Sequence, residues 1–153
     1  MRYFTTHPDK WDSFCKLRGD KQNISLRLLE YCVLKYSKVK DVRWIHSVTS
    51  QRFVLYNSYR EQLRKYRKKN FDPFGRHGKE DIKIHDKMTN TNIGQMNFFR
   101  WILEYDILTY VNEHRLELLD HMKTYNKGQR TKKIAPKIVN NDIGDMKLSS
   151  IFE

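Results

Sequence analysis

The sequence predicts an α+β fold: four to five helices around a central buried helix, beside a small antiparallel sheet of two or three strands. Three observations carry that expectation. The stretch Thr91 to Met122 is too aromatic and apolar to be a loop. Residues 41–56 are rich in β-branched and aromatic side chains on both sides of a polar break. Helix-start signatures punctuate the rest of the 153 residues, a length sufficient for a real core. The expected organisation is a single compact domain over 1–122, followed by a basic arm over 123–153 that ends in an apolar docking segment.

Taken in order, residues 8–18 predict a short helix after His7. Pro8 stands at an N-terminal position where its missing N–H does no harm, and Trp11, Phe14 and Cys15 supply the anchor. Ser25 opens a stronger helix in which Leu26, Leu29, Val33 and Tyr36 share a face and Arg27, Glu30 and Lys38 stay outside. Val42, Trp44, Ile45 and Val48, then Phe53 to Tyr56, are split by Thr49-Ser50-Gln51 and predict a hairpin. Ser58 with Glu61 reads as a capping box for a helix over 58–69, which Asn70 and Asp72-Pro73 stop. The alternation Asp81 to His85 offers a third strand for that hairpin, with Asp86-Lys87 turning the chain.

Asn92 and Gln95 then start the central helix, the Asn accepting from a first-turn N–H while the Gln reaches back; Gly94 costs little in that first turn. At about 100° per residue, Met96, Phe99, Leu103 and Ile107 fall in one sector and Phe98 and Ile102 nearly opposite. Only Asn97, Arg100 and Glu104 form a polar stripe, so this helix belongs between other elements. Asp106 reads as a second N-cap, followed by an amphipathic helix with Ile107, Val111, Leu118 and Met122 on its apolar face. Beyond Met122 the periodicity fades. Residues 123–137 hold six basic side chains and no acidic one, the pattern of an arm, and Ile143, Met146, Leu148, Ile151 and Phe152 follow as an apolar end able to dock.

Charge is the strongest functional signal. Thirty Lys and Arg against eighteen Asp and Glu give a net +12, which favours a polyanionic partner. On the 58–69 helix, Arg60, Arg64, Arg67 and Lys68 fall within about 100° of the circumference, with Lys69 extending the run, while Tyr59, Leu63 and Tyr66 occupy another face. Guanidinium groups so arrayed hold a phosphate backbone without reading its sequence. Lys127, Arg130, Lys132, Lys133 and Lys137 would form a second phosphate-contacting element. The plain alternatives are a solvated helix face and a solubilising tail. Most aromatic residues sit at core periodicities, and Tyr3, Phe4 and Tyr125 are the freest to stack on bases.

Signals of catalysis are sparse. Asp72, Asp81 and Lys83 have the residue types of a metal-dependent nuclease but need a further acid, and Asp72 before a proline reads as a turn cap. His114, Glu117 and His121 share a helix, yet their outer pair lies about 10 Å apart along its axis, poor for one metal. Phosphate-loop, dinucleotide and nucleophile-elbow motifs are absent, as is any paired Cys spacing for zinc, so no catalytic residue, metal ligand or cofactor is assigned. Cys15 and Cys32 fit a reducing compartment, with Cys32 beside an apolar face. No run approaches the roughly 20 apolar residues of a membrane span, and the first residues lack the apolar stretch of a signal peptide. A soluble intracellular protein is expected.

The segments FDPFGR (Phe71 to Arg76) and TNIGQMNFFRW (Thr91 to Trp101), with Leu108, Tyr110 and Val111 after them, resemble an uncharacterised family of small proteins from nucleocytoplasmic large DNA viruses. The resemblance extends upstream through SLRLLEYCVLKYSK (Ser25 to Lys38) and FVLYNSYREQLRKY (Phe53 to Tyr66), and so spans about residues 25–122. It implies a viral setting, with the infected cell's cytoplasm or nucleus, or the virion, as the location, and carries over no catalytic residue. Two functional classes follow: a non-enzymatic protein bound to DNA or RNA, and a structural or adaptor protein whose C-terminal segment docks on a viral partner. A metal-dependent nuclease is a third, weaker reading.

Overall fold

The computed structural model describes residues 2–19 and 25–143, with the backbone course alone for residues 19 and 132–143. The chain divides into two compact units, Met1–Leu118 and Leu119–Glu153. Its architecture is α+β, with more helices than the sequence predicts and two separate antiparallel hairpins.

In the first unit, α1 (Arg2–Thr6) and α2 (Pro8–Gly19) meet at His7, whose carbonyl accepts from Lys10 N and Trp11 N. Helix α1 was not anticipated. Its Phe4 is buried against Trp11 and Phe14, with ring centroids 5.2 and 5.4 Å away, so it is core rather than a free stacking residue. Ser25 caps α3 (Leu26–Tyr31) as expected, its hydroxyl accepting from Leu28 N at 3.0 Å. The helix then widens into a π-helical turn (Cys32–Tyr36) before α4 (Ser37–Val39). The buried face consists of Leu28, Leu29, Tyr31, Cys32, Val33 and Tyr36, whereas Leu26, assigned to it from periodicity, is only half-buried. Burial pushes the Cys32 thiol up to about 12, which keeps it an uncharged packing group.

β1 (Arg43–Ile45) pairs antiparallel with β2 (Arg52–Val54), in register Trp44 opposite Phe53. Buried His46 organises the connecting loop. Its Nδ1 accepts from Val48 N and Thr49 N at 3.3 and 3.1 Å, so Nε2 carries the proton and donates to Glu104 O at 2.8 Å. Helix α5 (Leu55–Tyr66) follows β2 directly, because Leu55 N bonds back to Val42 O at 3.0 Å and Leu55 is fully buried. The expected capping box at Ser58 and Glu61 therefore does not form. Ser58 lies inside the helix and accepts from Trp101 Nε1 at 2.9 Å.

The second hairpin, β3 (Glu80–Ile84) and β4 (Lys87–Thr91), stands apart from the first instead of adding a strand to it. It packs on α2: Trp11 Nε1 donates to Lys87 O at 2.9 Å, Arg18 Nη1 to Thr89 Oγ1 at 3.0 Å, and Lys87 pairs with Asp12. Its turn is His85-Asp86, one residue earlier than expected, and both have positive φ (50° and 65°), the twist a two-residue hairpin loop requires.

Helix α6 (Ile93–Glu104) is the predicted central helix. Met96, Phe98, Phe99, Trp101 and Ile102 are at most 1% exposed on opposite sides of it. Phe99 meets Phe14 of α2 at 5.2 Å; Phe98 meets Phe71 at 5.2 Å; Trp101 meets Tyr59 of α5 at 5.9 Å. Asn92 caps it, accepting from Gln95 N at 2.9 Å. Gln95 does not reach back. Its amide bridges Thr91 Oγ1, 2.6 Å from Oε1, to Pro73 O, 2.8 Å from Nε2.

Asp106 precedes α7 (Ile107–Glu113) with φ 63° and makes no side-chain cap. Its carboxylate instead accepts from Ser47 N and Oγ at 3.2 and 2.8 Å, tying the β1–β2 loop to the end of α6. Ile107, Val111 and Leu118 are fully buried as expected, although the helix breaks at His114 and restarts as α8 (Arg115–Ile143).

In the second unit, α8 continues, so the basic arm expected over 123–137 has a helical backbone. Fading apolar periodicity marks the loss of a buried face and not of the helix itself. Met146, Leu148, Ile151 and Phe152 of the expected docking segment lie outside the described residues.

Phe99→Ala is expected to cost about 3–5 kcal/mol in chemical denaturation, the penalty for emptying a fully buried ring site. Gly94→Ala tests a closer constraint. A Cβ there would lie 2.9 Å from Lys69 O, so stability should fall even though Ala is favoured over Gly in helices by about 0.5–1 kcal/mol.

Candidate nucleic-acid interface

Amphipathic periodicity turns Tyr59 of α5 into the core and leaves Arg60 and Arg64 exposed one turn apart. Arg60 lies over the Tyr56 ring, 5.9 Å from its centroid, which holds the guanidinium near the helix surface. Arg67, Lys68 and Lys69 are exposed too, but not on that helix. Helix α5 ends at Tyr66; Arg67 turns at φ 64°, ψ 156°, and Lys68–Asn70 form a 3-10 turn. The single stripe expected over 58–69 is therefore two adjacent groups on one chain segment, Arg60 and Arg64 along the helix and Arg67, Lys68 and Lys69 around the corner after it. Arg64 and Lys65 also occupy the last turn of α5, where cations are favourable against the helix dipole whether or not a ligand is present.

In the second unit, Lys127 and Arg130 are exposed and stand at i, i+3 on α8, with exposed Lys123 one turn earlier. Those three form a basic stripe of their own. Lys123 is not among the phosphate contacts expected from the sequence. Lys132, Lys133 and Lys137 lie on the helical backbone of α8, and their side chains are outside the described residues.

Four of the residues considered for chemistry, Asp72, Asp81, His114 and Glu117, have structural partners. Asp72 is 5% exposed, and its carboxylate accepts from Phe74 N (3.1 Å), Arg76 N (2.9 Å) and Arg76 Nη1 (2.8 Å), the turn cap read from the sequence. Asp81 is exposed and accepts from Asn90 Nδ2 across the hairpin at 3.0 Å; Lys83 is exposed on the same strand. His114 Nδ1 lies 2.9 Å from Tyr110 O, and Glu117 accepts from Tyr36 OH at 3.0 Å. Among the described residues, no three His, Cys, Asp or Glu stand together as a metal ion would need.

Among the described residues, cavities open on the first unit in at least two places. One, of about 330 Å³, is lined by Lys69, Asn70, His77, Asn92 and Ile93 among others, beside the start of α6. The other, a cleft of about 410 Å³, is lined by Arg2, Tyr3, Phe4, Thr6, His7, Tyr66, Met96, Asn97 and Arg100. Sequence reasoning named Tyr3 as a free aromatic and Asn97 and Arg100 as the polar stripe of α6, but nothing in their spacing says that they meet. Tyr125 is half-buried in the second unit.

A family model described as a family of unknown function, DUF7197, matches residues 1–149. An uncharacterized protein of Acanthamoeba polyphaga mimivirus, L507, is 31% identical over 140 residues, covering 86% of this chain and 54% of that protein. The chain thus spans about half the length of the curated relative it matches. No solved structure matches it.

Asp72→Ala would strand two backbone N–H groups and a guanidinium, and should cost about 2–4 kcal/mol in urea denaturation. Asp81→Ala, at an exposed site, should stay within about 0.5 kcal/mol of the parent.

Proposed function

The chain belongs to the DUF7197 family, uncharacterised and viral, and we propose that it is a non-enzymatic nucleic-acid-associated protein. The observation that carries the reading is the grouping of exposed cations at Arg60, Arg64, Arg67, Lys68 and Lys69 on a protein of net charge +12. Five cations along one helix end and its exit turn match a run of phosphates, and contacts of that kind position a backbone without selecting a sequence. The α8 stripe of Lys127 and Arg130, with Lys132, Lys133 and Lys137 following in sequence, supplies a second element for either DNA or RNA.

A second reading, a structural or adaptor protein of the virion or of a viral complex, draws on a different observation. Val48 and Ile45 of the β1–β2 hairpin are 83% and 60% exposed, an apolar tip suited to a protein surface. No described helix is long and apolar enough to cross a membrane.

Binding to duplex and single-stranded oligonucleotides across a salt series tests the first reading. Affinity should fall with a log–log slope of about −0.9 per duplex phosphate neutralised, and Arg60→Gln with Arg64→Gln should make that slope shallower by about 2 units while the protein stays folded, with only a small drop in melting temperature from the lost charge at the end of α5. No binding at low salt to either nucleic acid removes this reading and leaves the adaptor role. Removal of residues 127–153 should weaken binding and flatten the slope further. An unchanged slope would mean that those cations face something other than phosphate.

A further inference from the structure

We propose that the cleft between α1 and the adjoining parts of α5 and α6 holds an unpaired base of a single-stranded nucleic acid, an inference that rests on the phosphate-binding reading above. The lining has the composition such a ligand needs. Phe4 and Met96, each 1% exposed, form an apolar floor within a volume of about 410 Å³, enough for a base and its sugar. Tyr3 and His7 stack on each other at 4.5 Å and 23°, flat π systems of the sort on which unpaired bases stack, and Tyr66 walls the cleft with its ring lying parallel to Phe71 at 5.9 Å.

The polar groups are fixed in place. Arg100 donates through Nη2 to Tyr66 OH at 2.8 Å and through Nη1 to Glu104 at 3.1 Å, so the guanidinium is held over the Tyr66 ring, 6.0 Å from its centroid. Asn97 donates its amide nitrogen to Asn70 O at 3.0 Å, which leaves the amide oxygen as the acceptor for an exocyclic amine of adenine or cytosine. His7 Nδ1 lies 2.8 Å from Tyr3 O, so that nitrogen carries a proton and Nε2 is the free ring atom. Arg2 is exposed on the lining and supplies the charge for the adjoining phosphate. Tyr3 itself adds no negative charge. Burial first, then Glu104 and Asp9, push its hydroxyl up to about 12.

The site discriminates strands by their bases, whereas the α5 cations discriminate only by phosphate. Fluorescence anisotropy with a labelled adenine-bearing single strand, an abasic strand of equal length and a duplex separates the two. The abasic strand and the duplex should each bind about tenfold more weakly than the base-bearing strand. Tyr3→Ala should remove that preference, Tyr3→Phe should keep it, and neither should alter affinity for the abasic strand. Since Tyr3→Ala also tests whether α1 stays folded, His7→Ala serves as a second variant with the same expected loss.

Equal binding of base-bearing and abasic strands by the parent protein would overturn the cleft assignment while leaving the phosphate reading intact. No binding of any strand would overturn both. Saturation of the cleft by a 5′-mononucleotide at micromolar concentration, with no added affinity for the strand, would make it a free-nucleotide pocket and overturn the assignment to a strand.

Discussion

The close approach between the first turn of α6 and the loop over residues 69–76 is the constraint on which the first unit depends. Asp72 N donates to Gly94 O at 3.1 Å, and Gln95 Nε2 donates to Pro73 O at 2.8 Å. Such an approach is possible because position 94 has no side chain: a Cβ would come within 2.9 Å of Lys69 O. Gln95 is wholly buried yet satisfied on both ends of its amide, which makes it a strut rather than a cost. Once that contact is made, Phe71 is carried against Phe98 and Trp101 at 5.2 and 5.5 Å, and the exit of α5 is fixed relative to the core helix. The cations at 67–69 and the ring of Tyr66 inherit their positions from it.

How much of this was legible depended on whether a residue's partner was near in sequence. The burial of α6, the cap at Asn92, the cap at Ser25 and the Asp72 turn were all readable, because periodicity and local hydrogen bonding decide them. Ser58, Gln95 and Asp106 carried equally good local capping signals, and each misled. Every one of them is claimed by a distant partner: Ser58 by Trp101, Gln95 by Pro73, Asp106 by Ser47. Tertiary bonds overrode local preference where the side chain was buried or bridged two elements. The hairpins show the same rule, since the strand signals were sound but only packing on α2 decides that β3–β4 stands apart from β1–β2.

The candidate interface was legible as residue types and not as a surface. Spacing put Arg60, Arg64, Arg67 and Lys68 on one helical face, but the backbone leaves the helix at Arg67, so the charges follow a corner. The cleft could not be found by spacing at all. Its walls come from residues near 2–7, at 66 and near 96–100, which the aromatic contacts from Phe4 through Trp11 and Phe14 to Phe99 bring toward one another.

Electrostatics and packing divide the labour between these features. Acidic partners restrain several cations internally: Glu104 holds Arg100, Asp72 and Glu30 hold Arg76, and Asp12 holds Lys87. Those pairs brace the fold, and because each is partly exposed their individual worth is small. Arg60 and Arg64 are different, being exposed on the outer face of a helix whose other side is anchored by Leu55 and Tyr59. A net +12 concentrates mutual repulsion on such groups, and a polyanion relieves it in proportion to the counterions released. Phosphate binding by these two residues would therefore draw on charge that the fold uses only lightly, Arg60 against the Tyr56 ring and Arg64 against the dipole at the end of α5.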